Sequence, residues 1–235
     1  MRRFLITGAS GGLGITIAEK LLKEGSFLYL IANENVNKLD FFKTKYQDSI
    51  EVIKMDFMKE FDFRAFAIRF KKIDGIIHCL GIPSSGMSWK ISLEEWDKVM
   101  HINLRVPFLL SSVLIPQLRK NNFGRIIFFS SVVAQKGTVG TSAYSASKSA
   151  LIGLTKTMSV ELIKNNITVN CISPGYMDTG MINAVNGEYL DAILAKIPSN
   201  NLGESRNVAH TISFLLSENA NYITGQVINI NGGMI

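Results

Sequence analysis

Short apolar runs alternate with longer amphipathic stretches along almost the whole chain. The runs predict strands over 3–7, 27–32, 50–55, 74–79, 124–130, 167–172 and 226–230. The stretches between them predict helices over 13–24, 36–46, 61–72, 93–119, 143–165 and 205–217. Phe27-Leu-Tyr-Leu-Ile-Ala32 and Arg125-Ile-Ile-Phe-Phe129 have no polar alternation, so they are expected to be buried on both faces. Such strands, separated by helices, predict an α/β fold: one doubly wound, Rossmann-like domain with a seven-stranded parallel sheet and helices on both faces. Right-handed crossovers then place ligands beyond the carboxyl ends of the strands, where the strand order switches. No Pro/Ser-rich linker, repeat or low-complexity tract divides residues 1–235, so a single domain is expected.

Three stretches break the simple pattern. Pro107 lies inside the 93–119 segment, where a kink or break is expected. Phe63, Phe66 and Phe70 are spaced as a core-facing stripe. Residues 176–203 show no period, being interrupted by Gly, Asn, Met and Pro. Following a strand as they do, they are expected to form a substrate lid, with a plain mobile insertion as the alternative. Met177 and Met181 either line an apolar pocket there or fill the lid itself. His78 and His101 have no indicated carboxylate partner and are expected to be packed or surface residues.

Composition narrows the picture. The 235 residues are 47% hydrophobic and 19% charged, which suits a compact soluble domain. The net charge of +6 comes from scattered pairs such as Arg2-Arg3 and Lys71-Lys72, with no long basic run. This favours attraction of an anionic cofactor or substrate over nucleic-acid binding. No uninterrupted apolar stretch reaches the roughly 18 residues of a membrane span, so no membrane partner is expected. Cys79 and Cys171 lie in strand-like runs without metal-ligand or disulfide spacing, and no metal site is expected. A reducing, cytoplasmic location follows, and Met1-Arg2-Arg3 leads into the first strand without the apolar core of a secretory signal.

The chemistry is concentrated in two places. Thr7-Gly-Ala-Ser-Gly-Gly-Leu-Gly14 joins the first strand to the first helix, where Gly8, Gly12 and Gly14 permit a sharp turn and a pyrophosphate can approach the helix N-terminus. A plain strand-to-helix turn is the bland alternative. Downstream, Tyr144 and Lys148 lie four apart on one helical face. An ammonium beside a phenol is expected to lower its pKa from about 10 and prepare it for proton exchange with a carbonyl or alcohol oxygen. Ser130-Ser131 ends a very apolar strand, placing a hydroxyl at the ligand edge. A dinucleotide turn upstream of an acid–base pair implies hydride transfer between a nicotinamide and a ketone or alcohol. Ala32 and Asn33, at the end of the second strand, lack the carboxylate that repels a 2′-phosphate, so NADP(H) is favoured over NAD(H). Asp56 either accepts a hydrogen bond from the adenine or caps the next segment.

These residues, with Asn103 in Ile-Asn-Leu104, Pro174-Gly175, Thr179 and the ending Tyr222-Ile-Thr-Gly-Gln-Val-Ile-Asn-Ile-Asn-Gly-Gly233, resemble the short-chain dehydrogenase/reductase family over essentially the entire chain. Within it the chain is most similar to the 3-oxoacyl-acyl-carrier-protein reductases. The resemblance implies that Tyr144 donates the proton, Lys148 holds the nicotinamide ribose and tunes Tyr144, and Ser131 orients the carbonyl. It further implies that Asn103 keeps a water linking Lys148 to solvent. Cofactor contacts are implied for Gly8, Ser10, Gly12, Leu13, Gly14, Asn33, Asp56, Phe57, Gly81, Tyr144, Lys148, Pro174, Gly175 and Thr179. It also implies fatty-acid biosynthesis and a homotetramer joined through the helices near 93–119 and 143–165.

Some positions depart from the family. His78-Cys-Leu-Gly81 stands where Asn-Asn-Ala-Gly is usual, putting the bulkier Leu80 beside the expected ribose. Asn122 and Asn165 stand where relatives use Arg to grip acyl carrier protein, with Lys120 and Lys164 nearby. Lysine supplies charge but not the bidentate fork. The substrate is therefore expected to be a small-molecule or carrier-bound carbonyl compound. A 3-oxoacyl thioester leads; a sugar, polyol, quinone or hydroxylated lipid is the alternative within the same chemistry, and a catalytically dead cofactor sensor the alternative outside it.

Overall fold

The computed structural model describes residues 1–180, 182 and 187–235. Among these, seven strands form one parallel sheet: β1 (Arg3–Thr7), β2 (Phe27–Ala32), β3 (Ile50–Lys54), β4 (Gly75–His78), β5 (Gly124–Phe129), β6 (Ile167–Pro174) and β7 (Val227–Ile230). Their order is β3-β2-β1-β4-β5-β6-β7. The chain winds outward from β1 in one direction, then returns to β4 and winds in the other. The switch therefore lies between β1 and β4.

Alternation along each strand fills two core layers. Phe4, Ile6, Leu28, Leu30, Ile127 and Phe129 face one layer, closed by α1 (Gly12–Lys23) and α9 (Ser205–Leu216). Leu5, Tyr29, Ile31, Ile126, Phe128 and Cys171 face the other. That second layer is closed by α3 (Phe63–Ile68), α5 (Val106–Lys120) and α7 (Ser142–Leu162). This two-sided burial is why these strands carry no polar alternation.

The helices differ from expectation at informative points. The 36–46 segment splits into a 3₁₀ turn, Val36–Leu39, and α2 (Asp40–Lys45). The 61–72 segment shortens to α3, where the Asp62 side chain accepts from the backbone N–H of Arg64 and Ala65. Phe66 and Phe70 are nonetheless buried and Phe63 packs beside them, as the stripe predicts. No break occurs at Pro107: α4 (Leu93–Met100), a π-helical stretch His101–Arg105 and α5 run on as one. The irregularity falls one turn earlier because the missing proline N–H would have bonded residue 103. The resulting helix, Leu93–Lys120, is long and apolar enough to cross a membrane by length and composition. Uninterrupted runs in the sequence conceal this. Its Val106, Leu110, Leu114 and Leu118 are fully buried against the sheet. Two short helices were not expected: α6 (Val132–Lys136), and α8 (Gly187–Leu194) inside the aperiodic 176–203 segment. That segment is pinned at its ends by a parallel bridge between Met177 and Gly203. Met177 is buried, and Met181 lies outside the described residues.

Candidate active site

A cavity of about 670 Å³ opens at the carboxyl ends of β1, β4, β5 and β6, beside the switch in strand order. Gly8, Gly12, Leu13 and Gly14 line one part, with Gly81, Pro174, Gly175 and Thr179, while Ser131, Tyr144 and Lys148 line another. The structure thus brings together the glycine turn and the acid–base residues.

The turn is shaped by close approaches. Gly8 has φ +66°, and a Cβ there would lie 2.8 Å from the Leu80 nitrogen. A side chain at Gly14 would run into the Gly8 carbonyl, so helix α1 packs onto the turn only because that position is bare. Gly11 caps α1 without a side-chain bond, which leaves the amino end of the helix facing the cavity. These bare positions and free N–H groups fit a pyrophosphate. Thr179 rests against Gly12, bringing the start of the 176–203 segment onto the turn.

Ser131 follows β5 and caps α6, its Oγ accepting from the Val133 N–H at 3.4 Å. Its hydroxyl also faces the Tyr144 phenol. Ser130 serves the fold instead, since its Oγ donates to the Lys148 carbonyl at 2.9 Å and ties α7 to the strand. Lys148 is 4% exposed, and its Nζ donates to the Phe129 carbonyl at 2.8 Å. The same Nζ lies 5.7 Å from the Tyr144 ring centroid. Burial pushes its pKa down to about 8.

The expected fall in the Tyr144 pKa is not found. Burial pushes the phenol upward and only the Ser131 hydroxyl pulls it back. The ammonium is engaged by the Phe129 carbonyl, and the helical spacing that brings the side chains together does not bring their polar ends into contact.

Asn103 is fully buried in the π-helical stretch. Its Oδ1 accepts from the Ile82 N–H at 2.8 Å, and its Nδ2 donates to the Ile82 carbonyl at 3.0 Å and to Ser147 Oγ at 3.1 Å. A Cβ on Gly81 would fall 3.0 Å from Lys148 Nζ and 3.5 Å from Asn103 Oδ1, so that glycine is where the two converge.

Asn33 and Asp56 line a second cavity of about 430 Å³, with Glu34, Lys54, Lys59 and Glu60. Asp56 Oδ1 also accepts from the Met58 N–H at 3.0 Å, so its capping role is realised. Ser10 and Phe57 border neither cavity. The Phe57 ring is buried among Phe61 and Phe63, and its carbonyl meets His101 Nε2 at 2.8 Å. His78 is packed, as expected: its ring stacks on Phe128 and bonds Ser111 Oγ at 2.8 Å, and burial lowers its pKa to about 3. Leu80 packs into the core, away from the cavity lining. Asn122 and Asn165, with Lys120 and Lys164, precede β5 and β6 and lie at the opposite end of those strands from the cavity.

Sequence reasoning missed Lys54 and Lys59, which carry no motif. It also missed Ser147, whose i+3 spacing from Tyr144 was the available signal.

The family described as enoyl-(acyl carrier protein) reductase matches residues 8–235. A 3-oxoacyl-[acyl-carrier-protein] reductase of Rickettsia conorii is 38% identical over 231 residues, covering 98% of this chain and 95% of the relative. A protein of the same name from Staphylococcus epidermidis is 35% identical over 238 residues, covering 98% and 97%. Nodulation protein G of Rhizobium sp. (strain N33) is 33% identical over 237 residues, covering 99% and 96%.

Proposed function

The chain belongs to the short-chain dehydrogenase/reductase family, as an NAD(P)-dependent carbonyl-reducing oxidoreductase, and from that premise we propose that it uses NADPH to reduce the 3-keto group of an acyl thioester. The observation that carries this reading is the cavity holding the glycine turn beside Ser131, Tyr144 and Lys148, with apolar walls that include Val132, Val133 and Met177. Those walls suit an acyl chain better than a sugar or polyol, and a hydroxylated lipid is the second reading they allow.

Gly8, Gly12, Gly14 and the amino end of α1 would hold the pyrophosphate, Lys148 and Gly81 the ribose, and Pro174, Gly175 and Thr179 the nicotinamide side. The bound nicotinamide supplies the hydride. With substrate bound, Ser131 would turn its hydroxyl proton from the Tyr144 phenol to the substrate carbonyl and orient it. Tyr144, with a raised pKa, stays protonated at neutral pH and acts as the general acid. Two hydroxyl donors converging on one oxygen suit reduction of C=O, where that oxygen takes on the charge. Lys148, charged below pH about 8, holds the cofactor. Asn103, four residues before a proline that has no N–H to give, would seat a water that feeds protons to Lys148.

NADPH over NADH is supported by the neutral Ala32 and Asn33 and by Lys54 and Lys59, although Glu34 and Glu60 share their cavity. A carrier-bound thioester is supported by the names of the relatives. Leu93, Trp96, Phe108 and Val160 are exposed on α4, α5 and α7 and support a homotetramer joined there. Free Cys79 and Cys171 suit the reducing cytoplasm. Residues 176–203 would act as the lid. The test is absorbance loss from NADPH with free and carrier-bound acetoacetyl thioesters, against sugars, polyols and quinones. Turnover is expected with thioesters; none at any chain length overturns the reading.

A further inference from the structure

The hydroxyl of Ser147 joins parts of the site that the mechanism uses separately. Ser147 is fully buried, one residue before Lys148 and three after Tyr144. It donates to the Tyr144 carbonyl at 2.7 Å, across the helical turn that carries both catalytic side chains. It accepts from Asn103 Nδ2 at 3.1 Å. Asn103 in turn grips both polar groups of the Ile82 backbone, next to Gly81. One chain of bonds therefore runs from the loop after β4, through the π-helical stretch, to the Tyr144–Lys148 turn.

A serine hydroxyl has one proton to give. Because that proton goes to the Tyr144 carbonyl, the oxygen faces Asn103 as an acceptor, which fixes the direction of every bond in the chain. Neither side chain in it reaches solvent: Asn103 and Ser147 are each 0% exposed. Alanine would keep the helix, since alanine is the better helix former. It would cut the one side-chain hydrogen bond that joins Asn103 to α7 among the described residues.

We infer that Ser147 is a positioning residue, holding the Tyr144–Lys148 turn in register with Asn103 and the Gly81-Ile82 loop. It touches neither cofactor nor substrate in this role, which rests on the reductase reading above. A misplacement of about 1 Å at a reacting group can lower turnover on the order of 10²-fold, so loss of this tie is expected to be visible in rate.

The test is Ser147→Ala, measured two ways. In turnover, kcat is expected to fall roughly tenfold with little change in KM for NADPH, because the tie aligns the acid and makes no cofactor contact. In the cofactor-free protein, the ionisation of Tyr144 is followed by ultraviolet difference titration against Tyr144→Phe. The Ser131 hydroxyl is the group that holds the Tyr144 phenol down against burial. Loosening the turn is expected to weaken that contact and move the titration to higher pH. The ionisable neighbours on this side are Lys148, Cys79 and Cys171, all unchanged in the variant. Ser147→Thr, which keeps the hydroxyl, is expected to restore both readouts. If Thr does not fit, the Asn103→Ala/Ser147→Ala cycle replaces it and is expected to be strongly non-additive. A melting temperature that drops while kcat and the Tyr144 titration stay at wild-type values, or an additive cycle, overturns the inference. Absence of wild-type turnover with every carbonyl compound would instead sink the reductase reading, and the titration would still decide on Ser147.

Discussion

At the proposed catalytic end of the cavity, Asn103, Ser147 and Lys148 are at most 4% exposed, and each is bonded to a different part of the fold. At the proposed adenosine end, Asn33, Glu34, Lys54, Lys59 and Glu60 all face solvent around a mixed-charge cavity. The first end has its polar groups fixed before any ligand arrives, so its effects are strong and poorly screened. The second relies on charges in water, worth less each and weakened by salt. On the proposed reading, the groups that support the chemistry are shielded from water, and those that choose the cofactor are exposed to it.

The sharpest way to break this contrast is Tyr144→Phe. Removing one hydroxyl from the cavity wall is expected to lower kcat by roughly 10²–10⁴-fold, while NADPH affinity, measured by fluorescence titration, stays within about twofold. A near-normal rate would move the acid to another group. A large loss of affinity would show that the two ends are not separable.

Lys148→Met sharpens the contrast further, because the charge proposed to serve binding also burdens the fold. The folded pKa, about 8, lies below the ordinary 10.5. The folded state therefore holds fewer protons between those values, and stability rises with pH across that window. Below pH 8 the full penalty applies, on the order of 3 kcal/mol for such a shift. Lys148→Met is expected to melt higher than the wild type at pH 7, less whatever the lost bond to the Phe129 carbonyl contributed, and to lack the rise between pH 8 and 10.5. Its NADPH affinity is expected to fall by roughly 10- to 150-fold, since an ammonium–hydroxyl contact is worth roughly 1.5–3 kcal/mol. Melting curves across pH and a binding titration check both halves. A variant less stable at pH 7 would mean that Lys148 is comfortably solvated.

The sheet was legible because strands buried on both faces leave uninterrupted apolar runs, and all seven appear within two residues of the expected ends. Helices shorter than about two turns were not. A five-residue piece such as α6 shows no period, and the 61–72 segment begins only after its Asp62 cap and stops at Ile68. That Ser131, Tyr144 and Lys148 would share one cavity with the glycine turn was legible because motif and spacing fix them. What spacing does not convey is what a polar tip does on arrival. Lys148 Nζ meets a backbone carbonyl, Ser130 braces a helix, and Leu80 turns into the core. At the adenosine end, Lys54 and Lys59 come from β3 and the turn after it and gain meaning only beside Asn33, which is a fact of strand pairing between β2 and β3.

The smallest expected effect tests that exposed end. Asn33→Asp places a carboxylate where ribose hydroxyls can bond it and a 2′-phosphate is repelled. The ratio of kcat/KM for NADPH to that for NADH is expected to fall about tenfold, equivalent to roughly 1.4 kcal/mol. Because Asn33 faces solvent, this ratio is expected to recover partly as ionic strength rises, whereas the losses in Tyr144→Phe are expected to be indifferent to salt. Steady-state rates with both cofactors at low and high salt measure this directly. An unchanged ratio would place the 2′-phosphate away from β2, leaving Lys54 and Lys59 as the residues to substitute next. A salt-insensitive shift would mean that the adenosine end closes over its ligand and resembles the catalytic end more than the free protein suggests.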